Sequence, residues 1–160
     1  MPTPAYARIK INGNEVKGSV EIAGREGSME IIEFAQGVET PIDPHSARTT
    51  GVRVHKPIKF VKAFDSASPL LFKACVNSEV VDELVISWYR IDDTGVEIEY
   101  FRHMITNGRI VGYRQFMYNA KDPANQHHTH LEEISVLFQS VTLTFVDGAI
   151  EHTDDWLAEH

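Results

Sequence analysis

The sequence predicts a single mainly β domain, a barrel or sandwich with one helix on one face. Three observations support this prediction. Apolar and polar side chains alternate with a period of two along most of the chain, which is typical of half-buried strands. Only residues 69–76 carry apolar side chains at helical spacing. The 160 residues, with 42% hydrophobic and 24% charged, have the size and composition of one globular domain, which we assign to residues 1–160.

Turn residues separate the predicted strands. The sequence Asn12-Gly13-Asn14 ends the first strand, and Asp92 to Gly95 marks a turn in the second half. Asn107-Gly108 is the strongest hairpin signal in the chain, so the runs on either side of it are predicted to pair with each other. The segment 131–146 is long enough to be bent or bulged midway. The predicted strands are 6–11, 16–22, 29–38, 52–60 (interrupted at Lys56-Pro57), 83–90, 96–105, 109–118, 131–146 and 149–152.

The one predicted helix covers residues 69–76. Ser68 is a favourable N-cap, and Pro69 suits the first helical position because its missing N–H would have no helical partner there. Asn77-Ser78 ends the helix. An apolar stripe predicts the side that packs on the sheet, and it consists of Leu70, Leu71, Ala74 and Cys75.

Residues 39–51 form a long polar loop with two prolines. Ordered loops of this length are uncommon in compact domains and often carry function. In the strand before the loop, Ile32 and Phe34 share one side, which predicts that they face the core. Glu33 and Ala35 then point the other way.

Composition excludes several classes of partner. A formal charge of −8 and a pI near 5.4 argue against nucleic acid and anionic membranes, because phosphate binding requires clustered Lys and Arg. No apolar stretch approaches the roughly 18 residues that cross a bilayer, so membrane insertion is not predicted. The N-terminus has no apolar region, so no cleavable signal peptide is expected. The single Cys75 excludes an internal disulfide and a cysteine-based zinc site.

The sequence predicts no catalytic residue, metal or cofactor. His128 and His130 would share a face of an extended chain and so could meet one metal ion. Double-stranded barrel metalloenzymes need a glutamate about four residues after the second histidine, whereas Glu132 and Glu133 follow at two and three. The paired acids Asp92-Asp93 and Asp154-Asp155 lie beside turn or terminal signals, which favours solvated side chains.

The segment 131–146 carries apolar residues on both faces. A strand that is buried on both faces needs cover on both, from the helix of the same chain or from another copy. Core burial and self-association both remain possible at this point.

Several pieces of the chain, in order, resemble one known family, the haemolysin-coregulated protein (Hcp) family of the bacterial type VI secretion system. The resemblance runs along nearly the whole chain. The matching pieces are KGSV at 17–20, REGSMEI at 25–31, TGVRVHKP at 50–57, DSASPLL at 65–71, HLEEI at 130–134, DG at 147–148 and DDW at 154–156.

The resemblance implies a two-sheet β-barrel with one flanking α-helix that assembles into a homohexameric ring. Rings would stack into a hollow inner tube, expelled with a spike protein by a contracting sheath. Effector proteins would be the cargo of the lumen. The protein would assemble in the bacterial cytoplasm and be secreted without a signal peptide, as a structural protein and not an enzyme.

The resemblance also suggests which residues meet other molecules. The region 39–57 corresponds to the extended loop of the family, which reaches a neighbouring subunit or ring. Glu33 and Ala35 are candidates to face the lumen. The candidate contact residues of the loop are Pro41, Asp43, Pro44, His45 and Arg48.

Two alternatives remain open at the level of sequence. The first is the tail tube subunit of a phage-like contractile particle, which would form rings and tubes by the same kind of subunit contacts. The second is a small metal-dependent β-barrel enzyme that uses His128 and His130.

Overall fold

The structure, a computed structural model, describes residues 3–158 and is mainly β with one α-helix in that range. This confirms the predicted fold class. The strands are β1 (Ala5–Ile11), β2 (Asn14–Val16), β3 (Met29–Glu30), β4 (Glu33–Ala35), β5 (Val38–Glu39), β6 (Val54–His55), β7 (Ile58–Ala63), β8 (Val80–Ile91), β9 (Glu97–Phe116), β10 (Leu131–Phe145) and β11 (Ile150–Asp155), and the helix is α1 (Ser68–Val76). Within residues 3–158, no helix has the length and apolar character needed to cross a membrane.

Most strands belong to one antiparallel sheet with the order β2-β1-β8-β9-β10-β7-β4. The long β10 pairs with β7 along its first half and with β11 along its second half. β3 pairs with β1, while β5 and β6 form a separate two-stranded sheet. The register between β10 and β9 shifts between Ser135 and Val136, but the extra residue there is Val111 on β9, so the shift does not place the predicted bulge in β10.

A short segment brings the two sides of the curled sheet together. β3 pairs with β1, and the Ile31 N–H donates to Ala5 O at 2.9 Å. The next residue changes partner: the Ile32 N–H donates to Val61 O at 2.8 Å, and β4 then pairs with β7. The prediction of one strand over 29–38 was therefore wrong, because a strand that changes partner cannot keep one continuous ladder.

This change of partner also decides which side chains reach the core. Phe34 packs against the core as predicted. Ile32 does not, and it remains 50% exposed where the chain crosses between the two sides. The core itself is filled by fully buried side chains from the long strands and α1, each worth about 1.5–3 kcal/mol on burial; the largest include Ile9, Phe60, Leu71, Leu84, Ile86, Ile105 and Ile134.

The helix lies where the sequence predicted it, with Pro69 in its first turn. Ser68 is not its cap, because the N-cap is Ala67, which has no side-chain capping bond. The Ser68 hydroxyl instead accepts from the Asp65 N–H and donates to Glu132. Leu71 and Ala74 face the core, whereas Leu70 is 46% exposed, so the predicted apolar stripe was wrong at that residue.

The predicted hairpin at Asn107-Gly108 was wrong. β9 continues through both residues and pairs with β8 on one side and β10 on the other, and the actual hairpin turn is at Asp92 to Gly95. Asn107 has a φ of +52°, which locally kinks the strand without reversing it. A side chain at Gly108 would place its Cβ 2.8 Å from the Leu137 carbonyl oxygen, so the glycine permits close strand approach.

The predicted strand over 16–22 ends at Val16. The following segment folds back on itself: the Gly18 N–H donates to Gly27 O at 2.9 Å, and the Val20 N–H donates to Ser28 O at 3.2 Å. The alternation there therefore does not mark a strand of the main sheet.

Candidate functional site

Residues 38–55 form a two-stranded hairpin that we call the arm. At its base Val38 pairs with His55. Further out, Ile42 bridges to Thr49, and the Thr50 N–H donates to Pro41 O at 2.9 Å. The segment predicted as a loop, 39–51, is therefore the outer part of an ordered hairpin.

A turn built around Asp43 closes the tip of the arm. The Asp43 carboxylate accepts from the His45 N–H at 2.9 Å and from the Ser46 hydroxyl at 2.8 Å. These bonds lower the pKa of Asp43, the His45 bond contributing most. Arg48 accepts from the Asp43 N–H through its carbonyl, but its side chain has no hydrogen bond or ion pair within residues 3–158. Of the five predicted loop residues, Asp43, Pro44, His45 and Arg48 lie in this turn, whereas Pro41 lies on the base side of the Ile42–Thr49 bridge.

The arm exposes apolar side chains that the subunit itself does not cover. Ile42 is 62% exposed and Val52 is 68% exposed, and Val38 and Val54 are exposed to a similar degree. A two-stranded hairpin without a buried face is marginally stable by itself. The arm therefore depends on its attachment to the main sheet and has apolar surface available for a neighbour.

The C-terminal base of the arm is attached through Arg53, which directly precedes β6, and His55, which ends it. Arg53 holds the Asp154 carboxylate with two hydrogen bonds, from Nε at 2.7 Å and from Nη2 at 2.8 Å. The bond to Asp154 raises the pKa of Arg53. Nη2 also donates to Asp155 O at 2.7 Å. The prediction that Asp154 is a solvated acid was therefore wrong.

His55 completes this attachment, which we call the C-terminal anchor. Its Nε2 lies 2.6 Å from Asp154 Oδ2, and the ring packs edge-on against Phe138 and Trp156 at centroid distances of 5.3 and 5.4 Å. The side chain is almost fully buried. The arm is thus fixed to β11 and to the residue that follows it.

The N-terminal side of the arm is held four residues before Val38. Phe34 packs edge-on against Trp88, with ring centroids 4.9 Å apart, and lies 5.0 Å from the ring of His103. Trp88 Nε1 donates to His103 Nδ1 at 2.8 Å. Burial lowers the pKa of His103 to about 4, so the ring is neutral at pH 7. We call these three residues the N-terminal anchor.

A second polar cluster lies in the core beneath the start of α1. Lys62 Nζ contacts Asp65 Oδ1 at 2.8 Å and Glu132 Oε1 at 2.5 Å. Tyr113 donates to the other oxygen of Glu132. Burial of the phenol is the larger cause of its raised pKa, and this hydrogen bond is the second. Lys62 is 1% exposed and Glu132 is 0% exposed, so a substrate would not reach them. The cluster joins β7, β9, β10 and the helix as a structural unit.

The two histidines considered for metal binding, His128 and His130, each pack beside a different aromatic ring. The His128 ring lies 4.3 Å from the ring of Tyr118, and the His130 ring lies 5.9 Å from that of Phe64. Among residues 3–158, no group of three or more His, Cys, Asp or Glu side chains is placed to hold a metal ion.

The two lumen candidates lie on β4. Glu33 and Ala35 are both exposed and share one side of the strand, opposite Phe34. In the register with β7, Ala35 is the partner of Lys59 and Glu33 that of Val61. Their role in a lumen stays a prediction.

Sequence reasoning missed both anchors. Arg53 and His55 belong to a period-two run directly after the loop, and His103 alternates with Phe101 and Ile105 on one side of its strand, where a histidine is a signal of burial. Asp154 is 101 residues from Arg53, and Trp88 lies on a different strand from His103, so local sequence does not reveal the contacts.

Comparisons with known proteins agree on one family. The model of the family described as "Type VI secretion system effector, Hcp" matches residues 9–145. The "Major exported protein" of Pseudomonas aeruginosa is 35% identical over 168 residues, which cover 98% of this chain and 96% of that protein.

Solved structures are similar along the full length. Hcp1 of E. coli EAEC 042 superposes with a TM-score of 0.87 at 34% identity, covering 97% of this chain and 99% of that one. The secreted protein Hcp3 of Pseudomonas aeruginosa gives a TM-score of 0.77 at 27% identity, covering 98% of this chain and 100% of that one.

Proposed function

This chain belongs to the Hcp family of type VI secretion proteins, and we propose that it is the structural subunit of the hollow inner tube of such a system. The observation that carries the proposal is the arm, an ordered hairpin fixed at both ends that presents apolar side chains no part of the described subunit covers. A neighbouring copy would supply the cover. The family match favours this role over the tail tube of a phage-like particle.

The assembly we propose is a homohexameric ring that stacks on further rings. An arm that reaches a different surface of the next copy makes a heterologous contact, and such contacts close into a ring only at one rotation. The number six rests on the family resemblance. Sheath and spike proteins are the expected partners outside the ring.

The proposed cargo is effector protein. Six copies carry a formal charge of −48, six times the −8 of one chain. That charge repels nucleic acid at long range, whereas a folded protein can be accommodated by local contacts. We place Glu33 and Ala35 at the lumen, and we propose assembly in the bacterial cytoplasm followed by export. The role is structural and non-enzymatic.

The test of the ring uses untagged protein at micromolar concentration. Light scattering coupled to size exclusion should give one oligomer of defined mass, and negative-stain electron microscopy should show rings around a central hole. A stable monomer in both measurements would contradict the proposal.

The test of the lumen uses Ala35→Gln in cells that also produce a cargo effector. The ring should persist while the level of the effector falls, because a larger side chain narrows the cargo surface. Ala120→Gln, in the exposed loop 119–130, is the matched control. An unchanged effector level with a broken ring would show that this side of β4 faces a subunit contact instead.

A further inference from the structure

His103 has a single lone pair available, and Trp88 occupies it. A neutral imidazole carries its proton on one nitrogen and accepts at the other. Because Nδ1 accepts from Trp88 Nε1 at 2.8 Å, the neutral ring carries its proton on Nε2. A second proton must therefore bind at Nδ1. The incoming proton and the Trp88 N–H compete for the same atom.

Within residues 3–158, His103 forms no hydrogen bond or ion pair with an acidic side chain. β4 contributes Phe34, β8 contributes Trp88 and Ile86, and β10 contributes Leu143 in the paired register. The titratable residue in the same register row is His152 on β11, beyond Leu143, and it is not acidic. Burial of the ring lowers the pKa of His103 from 6.5 to about 4. A charged ring would therefore be unpaired among aromatic and aliphatic side chains.

The first element to respond would be β4. It has only three residues in its ladder to β7 and is the last strand of the main sheet order. Its central side chain, Phe34, packs on Trp88 and His103, and the arm begins three residues after its end. The C-terminal anchor contains the Arg53 pair, which does not depend on His103. Loss of the N-terminal anchor would therefore tilt the arm without detaching it.

We propose that the Trp88–His103 pair is an acid-sensitive anchor of the arm, and that a proton on His103 Nδ1 releases Phe34 and β4 and so takes apart rings that the arm holds together. This inference rests on the proposed function in one respect, the use of the arm as an assembly contact. The release of β4 itself concerns the single subunit. The transition falls between pH 6.5 and about pH 4, the ordinary and the folded-state values for the group.

Two variants separate His103 from the other groups that titrate in acid. His103→Gln places an amide oxygen where it can accept from Trp88 and removes the titration. Trp88→Phe keeps an aromatic ring against Phe34 and removes the donor that competes with the proton. His127→Gln, in the exposed loop 119–130, is the control for loss of a histidine elsewhere.

The experiment follows parent and variants from pH 7.5 to 4 with two readouts. Light scattering measures ring dissociation, and hydrogen exchange measures amide protection in residues 31–39, with variants compared at the same pH. We expect the parent and His127→Gln to dissociate and lose protection together. Assemblies of His103→Gln should dissociate at a pH lower than that of the parent by about half a unit or more. Assemblies of Trp88→Phe should dissociate at a higher pH than the parent, because removing the competing donor favours the charged imidazole of His103.

The outcomes distinguish this inference from the proposed function. If no ring forms at pH 7.5, the proposed function fails, and the exchange of 31–39 in the free subunit still tests the anchor. If rings form but parent and His103→Gln share one midpoint and one exchange profile, the anchor inference is wrong. Should His103→Gln not fold, a Trp88→Phe midpoint at or below that of the parent overturns the inference equally.

Discussion

Arg53 holds both carboxylate oxygens of Asp154, with Nε 2.7 Å from Oδ2 and Nη2 2.8 Å from Oδ1, across 101 residues of sequence. Both side chains are about 85% buried. The pair joins the base of the arm to the last strand, so the direction of the arm depends on a contact far away along the chain. Planar two-point binding of this kind is specific to arginine.

The first prediction concerns this pair. Arg53→Lys keeps the charge and loses the second hydrogen bond, so we expect the free energy of unfolding to fall by about 1–3 kcal/mol and ring assembly to weaken. Urea unfolding and light scattering measure the two effects. Lys56→Met is the matched control, because it removes the exposed pair with Glu39 and should cost within about 0.5 kcal/mol. Equal effects of the two variants would contradict a special role of Arg53.

The second prediction concerns the buried cluster. Glu132→Gln leaves the Lys62 ammonium with only Asp65 as a charged partner in a site closed to water, so we expect a loss of about 3 kcal/mol in the free energy of unfolding. Glu15→Gln removes the exposed pair with Arg8 and should cost less than about 1 kcal/mol. A loss below about 1 kcal/mol for Glu132→Gln would show that the Lys62–Glu132 pair is not needed for the fold.

The sequence predicted most strands and the helix because period-two and helical spacing are local properties. Local signals fail where a distant partner decides. Asn107-Gly108 would close a hairpin in isolation, but β8 and β10 pair with β9 on both sides of it and keep the strand continuous. The ladder to two long neighbours outweighs the local preference of two residues for a turn.

The same distinction explains which site residues sequence could find. In 58–63, Lys62 shares its side with Ile58 and Phe60, so alternation places a charged residue on the core side. The alternation does not predict the ion-pair partner of Lys62, which is Glu132 on another strand. The arm tip was found because it is contiguous. The anchors were missed because each joins residues from separate strands.

The third prediction concerns a close approach of two backbone segments. A Cβ at Gly18 would lie 2.5 Å from both the Ser28 carbonyl oxygen and Met29 Cγ, so Gly18→Ala forces the turn at 17–28 away from β3. We expect a loss of about 1–3 kcal/mol in the free energy of unfolding. Gly37→Ala is the control, since its Cβ would meet only Lys56 Cδ at an ordinary 3.5 Å. Denaturant midpoints check both, and equal tolerance would contradict the close packing.

The fourth prediction concerns pH. Burial lowers the pKa of His103 from 6.5 to about 4, so the unfolded chain binds more protons than the folded one between those values. Stability should be fully present above pH 6.5 and should fall as pH decreases towards 4, by at most about 3 kcal/mol from this group. Urea unfolding of parent and His103→Gln at each pH isolates the contribution of His103 to the free energy of unfolding, because both proteins have the same titrating carboxylates. Parallel profiles would show that His103 does not titrate in a buried state.

The last prediction concerns the arm tip. Reversing the charges of Asp43 and Arg48 together would not test a subunit contact cleanly, because the Asp43 carboxylate holds the turn through His45 and Ser46. Arg48→Glu alone is the better variant, since the Arg48 side chain has no polar partner within residues 3–158. We expect the free energy of unfolding to stay within about 0.5 kcal/mol of the parent while tube formation and secretion fall.

Lys121→Glu provides the matched control for that variant. It makes the same charge change in the exposed loop 119–130, so it alters the long-range field of the chain equally but leaves the arm untouched. If both variants weaken assembly alike, net charge is the cause. If Arg48→Glu assembles and is secreted like the parent, the tip is only a connector, and the assembly contacts lie on the apolar sides of the arm and on the strands.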